Sequence, residues 1–342
     1  MTSTPPALTT TTHDDQSAAP APAFARQSRG RRLTSQWGSE LALAGLIVLI
    51  GAAIGVSNDA FLTQGNLVNV MRAVAVIGIA AIGATLVIIA GNLDLSVGSV
   101  LGYSGLVGAL AMHGQIPALG IPAAIAVGVA VGLANGLLVT YGRVNPFIVT
   151  LGMLSVVRGL ALITTNGTPQ EVPESLLFIG QGEVAGIPVS VILLLALVVI
   201  AQWFLSRTIT GRRITAVGDN PKAAFLAGIP VRRTIITAFV LGGAFAAIAG
   251  IVNASNLALA TTDAGAGLEL DIIAAVIIGG ASLTGGRGSI IGALLGATLL
   301  ALLRNAFVLL QLSPYLQVTT IGAVIILAAL IDQLRLRRAE RT

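Results

Sequence analysis

At 342 residues, with 55% hydrophobic and 10% charged residues and a mean hydropathy of +0.92, this chain carries far more apolar surface than one soluble core can hide, so lipid must cover the rest. Zero cysteines exclude a disulfide framework, a thiolate metal site and a cysteine nucleophile, and two histidines, His13 and His113, leave no zinc cluster. The net charge of +5 comes from basic residues set between apolar runs, which argues against nucleic acid as a partner and for membrane topology.

Residues 1–36, rich in Thr, Pro and Ala, have too little apolar surface to offset ordering entropy and read as a disordered cytoplasmic tail. No secretory signal is expected, because this stretch is too long and too Pro-rich for an n-region and the first apolar run stays as an anchor. Residues 37–334 read as one transmembrane domain, and 335–342 as a basic cytoplasmic tail. A helix needs about 20 apolar residues to cross the hydrocarbon core. The candidate spans are 41–57, 73–91, 95–112, 121–141, 146–165, 187–205, 235–255, 268–284, 289–310 and 315–332. The fold expected is therefore all-α and polytopic, with about ten transmembrane helices. The shortest candidates, 95–112 and 268–284, suit broken or partly re-entrant helices buried in protein.

Charge placement tests this order independently. With both ends inside, every Lys and Arg except Arg72, Arg158 and Arg304 falls on the inner side. The outward loop 166–186 holds Glu171, Glu174 and Glu183 with no base, and 256–267 holds only Asp263. Small residues at four-residue spacing, Gly128, Gly132 and Gly136 and again Gly292 and Gly296, predict close helix packing. Asp94-Leu95-Ser96 and Glu269-Leu270-Asp271, opening the third and eighth spans from opposite sides, suggest a short inverted repeat.

The basic loop 206–234 interrupts the apolar pattern and carries a local helix signal. Asp219 or Asn220 caps it, Pro221 starts it, Lys222 to Ala227 fill it and Gly228 ends it. The small pair Ala223-Ala224 would form the face that enters a groove on a soluble protein. The order Lys222-Ala223-Ala224, three residues, Gly228 resembles the coupling-helix signature of ATP-binding-cassette importer permeases, Glu-Ala-Ala-x-x-x-Gly. Gly211-Arg212-Arg213-Ile214-Thr215-Ala216-Val217-Gly218-Asp219-Asn220-Pro221 is similar to the ribose and simple-sugar branch of those permeases. The chain departs from the signature at Lys222, where Glu is usual. Gly91 to Ser99, the Asn145-Pro146-Phe147-Ile148-Val149-Thr150-Leu151-Gly152 run, and Gly279-Gly280 with Gly285-Gly286-Arg287-Gly288 resemble the same branch in the same order.

The resemblance implies a permease working as a homodimer in a prokaryotic cell membrane. A cytoplasmic ATPase would use ATP and Mg, and an extracytoplasmic sugar-binding protein would deliver the solute. It implies that Gly218, Asp219, Asn220, Pro221, Ala223, Ala224 and Gly228 couple to the ATPase, and that this chain holds no cofactor and no catalytic site. The alternative is a self-contained secondary transporter or channel in which Asp94, Glu269 or Asp271 carries protons. It leaves the docking helix without a role, and no regular relay of carboxylates crosses the membrane.

Candidate path residues follow from polarity at depth. Asp94, beside Asn92, Ser96 and Ser99 at a span junction, either caps a helix or lines the path. Asn145 and Phe147 open the fifth span. Arg158 and Arg304 lie within spans, where an unpaired charge costs about 2.5–3.5 kcal/mol. Glu269 and Asp271 are their nearest partners in depth, and the four are expected to line the outward mouth. Gly102-Tyr103-Ser104-Gly105 matches a serine-protease pattern, but His113 lies nine residues along the same helix, about 13 Å away, too far to act as its base. Gly280 to Gly286 has phosphate-loop spacing without the lysine. With 4% aromatic residues, stacking platforms for sugars are scarce, which predicts a weakly gripping passage.

Overall fold

The computed structural model describes residues 29–114, 116–313, 315–323, 326–327 and 330. The chain divides into two units, 1–37 and 38–342. In the first, the described part is helical from Arg29, where the sequence reads as disordered tail. Once an apolar span has nucleated a helix, Arg and Leu extend it cheaply toward the N-terminus. The remainder of the expected tail, 1–28, and the basic tail 335–342 lie outside the described residues.

Twelve helices account for most of the described chain. They are α1 (Arg29–Ser57), α2 (Gln64–Ile89), α3 (Val97–Met112), α4 (Gly120–Thr140), α5 (Pro146–Thr165), α6 (Glu174–Gln181), α7 (Val189–Arg207), α8 (Ile209–Asp219), α9 (Pro221–Leu226), α10 (Val231–Leu257), α11 (Leu268–Ile278) and α12 (Ile290–Leu309). Four two-residue strands form two antiparallel pairs, β1 (Gln170–Glu171) with β4 (Leu259–Ala260) and β2 (Glu183–Val184) with β3 (Ile187–Pro188). These pairs are the departure from an all-α reading. The first pair ties the loop that follows α5 to the one that follows α10, and the second is a local hairpin between α6 and α7.

Of the ten segments expected, seven correspond to helices that are long and apolar enough to cross a membrane among the described residues. The segments 95–112 and 268–284 contain α3 and α11, of 16 and 11 residues, and 315–332 lies only partly within the described residues. At 1.5 Å per residue α11 reaches about 16 Å, half a bilayer core. The span placed at 73–91 starts at Gln64 instead. Arg72 interrupts its apolar window but not its helix, because its guanidinium donates to Gln181 O at 2.8 Å and faces Glu183 at 3.4 Å.

The core sits on α2 and α10. Residues 75–89 of α2 are buried on every side, as expected of a helix wrapped by others. Small residues let α10 approach its neighbours: a Cβ at Gly132 would meet the Phe239 backbone, at Gly136 the Ile236 Cα, and at Gly105 the Gly250 backbone. Gly292 and Gly296 of α12 meet Gly279 and Ala275 at the end of α11 in the same way. Helix α1 is peripheral. It is held by Ile54 against Phe61, Leu302 and Ala306, and by Ser289 Oγ donating to Glu40 at 2.6 Å.

Candidate functional site

The loop between α7 and α10 folds into two helices rather than one. Thr208 caps α8 by accepting from Gly211 N at 3.0 Å. Asn220, extended, caps α9 by accepting from Ala223 N at 2.9 Å, while Asp219 is the last residue of α8. Pro221 occupies the first turn, where its missing N–H costs nothing. Gly228, at φ +79°, reverses the chain so that the N–H groups of Gly228 and Ile229 reach the carbonyls of Phe225 and Ala224.

The exposed face of α9 differs from expectation. Ala224 turns inward and is buried, so the Ala223-Ala224 pair does not form an insertion face. Phe225 and Leu226 stand out instead, 71% and 84% exposed, beside a groove of about 1000 Å³ lined by Tyr141, Ile229, Val231 and Arg232. The Arg232 guanidinium lies 5.3 Å from the centre of the Tyr141 ring. Two adjacent large apolar residues inside a basic loop were the sequence signal for this face.

Two short helices begin back to back inside the bundle. After α2 the chain turns at Gly91, next to Gly218, and passes through the non-helical residues Asn92 to Ser96 before α3 begins. Asp94 accepts from Ser96 N at 2.8 Å and Ser96 Oγ at 2.6 Å, and Asn135 of α4 donates to Ser96 Oγ at 2.9 Å. All three side chains are buried. Asn92 instead hydrogen-bonds locally, its amide donating to Ala90 O at 2.9 Å. The contact between Asn135 and Ser96 crosses 39 positions and left no local signal in the sequence.

Helix α11 is reached from the opposite face, from β4 through residues 261–267. Its first turn carries Glu269 and Asp271. A Cβ at Gly98, in the first turn of α3, would meet both Glu269 and Gly265, so the starts of the two short helices touch. From there they run apart: α3 ends by His113, whose Nε2 contacts Glu171 O of β1 at 2.9 Å, and α11 leads to the 284–286 turn beside Gly91.

Asp271, 2% exposed, is ion-paired with Arg304 of α12. Glu269 lies two residues earlier in the same first turn, with Oε2 buried and without a hydrogen bond among the described residues. The expected four-residue cluster is therefore incomplete. Arg158, half-buried on α5, makes no hydrogen bond or ion pair with any described residue, because α5 turns much of its surface outward from the bundle. Asn145 caps α5 by accepting from Phe147 N at 2.9 Å, and both side chains are exposed at that helix's start.

Residues 66–329 match the family described as the permease component of the branched-chain amino acid transport system. The chain is 40% identical over 312 residues to the ribose import permease of Escherichia coli strain K12, covering 89% of this chain and 97% of that protein. It is 40% identical over 293 residues to the ribose import permease of Bacillus subtilis strain 168, covering 84% and 91%. It is 37% identical over 294 residues to an L-arabinose transporter permease of Azospirillum brasilense, covering 85% and 86%. No solved structure matches the chain.

Proposed function

The chain belongs to the family of branched-chain amino acid transport system permease components, in its ribose and simple-sugar branch, and from this premise we propose that two copies form the path for a monosaccharide in a prokaryotic cell membrane. In this reading α8 and α9 face the cytoplasm and dock on an ATPase subunit that uses ATP and Mg. The face carrying α6 and the strand pairs receives a sugar-binding protein. The observation that carries the reading is α9 itself: a capped helix of six residues, held at both ends, that presents Phe225 and Leu226 to water. An exposed apolar pair on a rigid element is a docking anchor.

The path runs past the touching starts of α3 and α11. Glu269 presents a buried carboxylate oxygen without a hydrogen-bond partner, suited to accept a sugar hydroxyl, and the Asp94–Ser96–Asn135 bonds hold the start of α3 beside it. The opposed entry of the two short helices is the arrangement an inverted repeat produces. Arg158, Asn145 and Phe147 line the path only where α5 borders it in the dimer.

The test is Phe225→Asp in the reconstituted importer. A charge at an apolar anchor is expected to lower ATPase co-purification and ATP-driven uptake by about tenfold or more, as loss of an interface hot spot does, with insertion unchanged. Uptake at the parent rate, or uptake driven by a proton gradient with no ATPase present, would overturn the reading.

A further inference from the structure

Three segments distant in sequence meet, backbone against backbone, beneath the docking helix. They are the end of α8 at Gly218-Asp219, the turn after α2 at Gly91, and the turn at Gly285-Gly286 between α11 and α12. A Cβ on Gly218 would overlap the carbonyl oxygen of Ile89 and lie 2.6 Å from Gly286 N. On Gly285 it would lie 2.7 Å from the Gly91 Cα and 2.8 Å from the Gly218 oxygen, and on Gly286 2.7 Å from the Asp219 Cα. Gly286 N donates to Ile89 O at 2.9 Å, so the contact is bonded as well as close. The turn is closed internally by Gly285 N to Ser282 O and Ser282 N to Arg287 O, both 3.0 Å.

Each segment leads somewhere different. Gly218 is three residues from α9. Gly91 leads through five residues, stiffened by Asp94 accepting from Ser96, to the start of α3. Gly285 leads back through Ala281, whose N–H reaches Val276 O at 3.1 Å, to α11. The far ends of these two arms touch again where Gly98 meets Glu269. The result is a closed mechanical loop with the docking helix at one end and the two short helices at the other.

Contacts between side chains can absorb a displacement by rotamer change, whereas backbone atoms in contact cannot. We infer that Gly218, Gly91, Gly285 and Gly286 are the positioning residues of a rigid joint, through which displacement of α8–α9 is delivered simultaneously to α3 and α11. The inference rests on the reading of α9 as the ATPase dock. It assigns transmission to glycines whose close contacts are with this chain's own backbone.

The experiment uses the complete importer in liposomes, with a spin label on Leu270→Cys as reporter of α11. Leu270 is exposed, and the chain has no native cysteine to compete for the label. In Gly218→Ala the ATPase should remain bound and hydrolyse ATP, while uptake and the nucleotide-dependent change at the label fall about tenfold. Asp219→Gly covers the case in which a methyl at 218 prevents folding. It removes an exposed side chain beside Gly286 and frees the backbone at the end of α8, loosening the joint without a new clash, and should lower uptake per ATP several-fold with the ATPase still bound and protein level unchanged. Uptake and label response at the parent level in either folded variant would overturn the inference. So would loss of the ATPase from Gly218→Ala, which would place Gly218 in the docking contact. The parent complex separates the two claims: with no ATPase bound to it, the docking reading itself falls and the joint has nothing to transmit.

Discussion

Asp271 and Arg304 show how this chain carries charge at depth. The carboxylate is almost fully enclosed and the guanidinium about one-third exposed, so the pair is held mainly by the cost of separating its members. Breaking a fully buried pair costs about 3–5 kcal/mol, and partial hydration of Arg304 reduces that to about 2–3 kcal/mol for Asp271→Asn. Thermal unfolding in detergent should register this loss. Asp271→Leu with Arg304→Met should recover most of it, since neither partner is then left alone. Equal destabilisation in the single and double variants would show that the pair is not what holds α11 to α12. Arg304 was legible as a charge in need of a partner, and Asp271 as the nearest in depth. Arg158 looked equivalent in sequence, but pairing depends on which way α5 faces, and no local pattern encodes that.

At the scale of elements, packing is governed by where two backbones approach. Gly132 on α4 lies against the Phe239 carbonyl of α10, whereas Gly152 on α5 faces open space. Gly132→Leu should therefore cost about 1–3 kcal/mol by overpacking or prevent insertion, while Gly152→Ala should leave the unfolding temperature of the monomer unchanged. Equal stability of the two variants would remove close approach as the organising feature of the α4–α10 pair. The ends of α9 were legible because Asn220, Pro221 and Gly228 act on their own backbone. The length of α2 was not, because the partners of Arg72 lie more than a hundred residues away. The same holds for the exposed face of α9: whether Ala224 or Phe225 points inward is decided by the packing of α8 beneath it.

For the molecule as a whole, hydropathy located the apolar segments but not how many cross. Segments 95–112 and 268–284 satisfy an apolar window, yet Gly91 and Gly267, both at positive φ, turn the chain before a short helix forms. The pairing of those two short helices is a tertiary fact, hinted at only by Asp94-Leu95-Ser96 and Glu269-Leu270-Asp271. Sidedness is an expectation from charge alone, since the basic residues of 206–234 would be costly to translocate. The docking of α9 on an internal ATPase requires that sidedness. The direct measurement is labelling of Leu226→Cys, the sole thiol of the chain, with a membrane-impermeant maleimide. No label should enter in intact cells, and inside-out vesicles should label fully unless the ATPase is bound. Labelling of Leu226→Cys in intact cells would contradict the account.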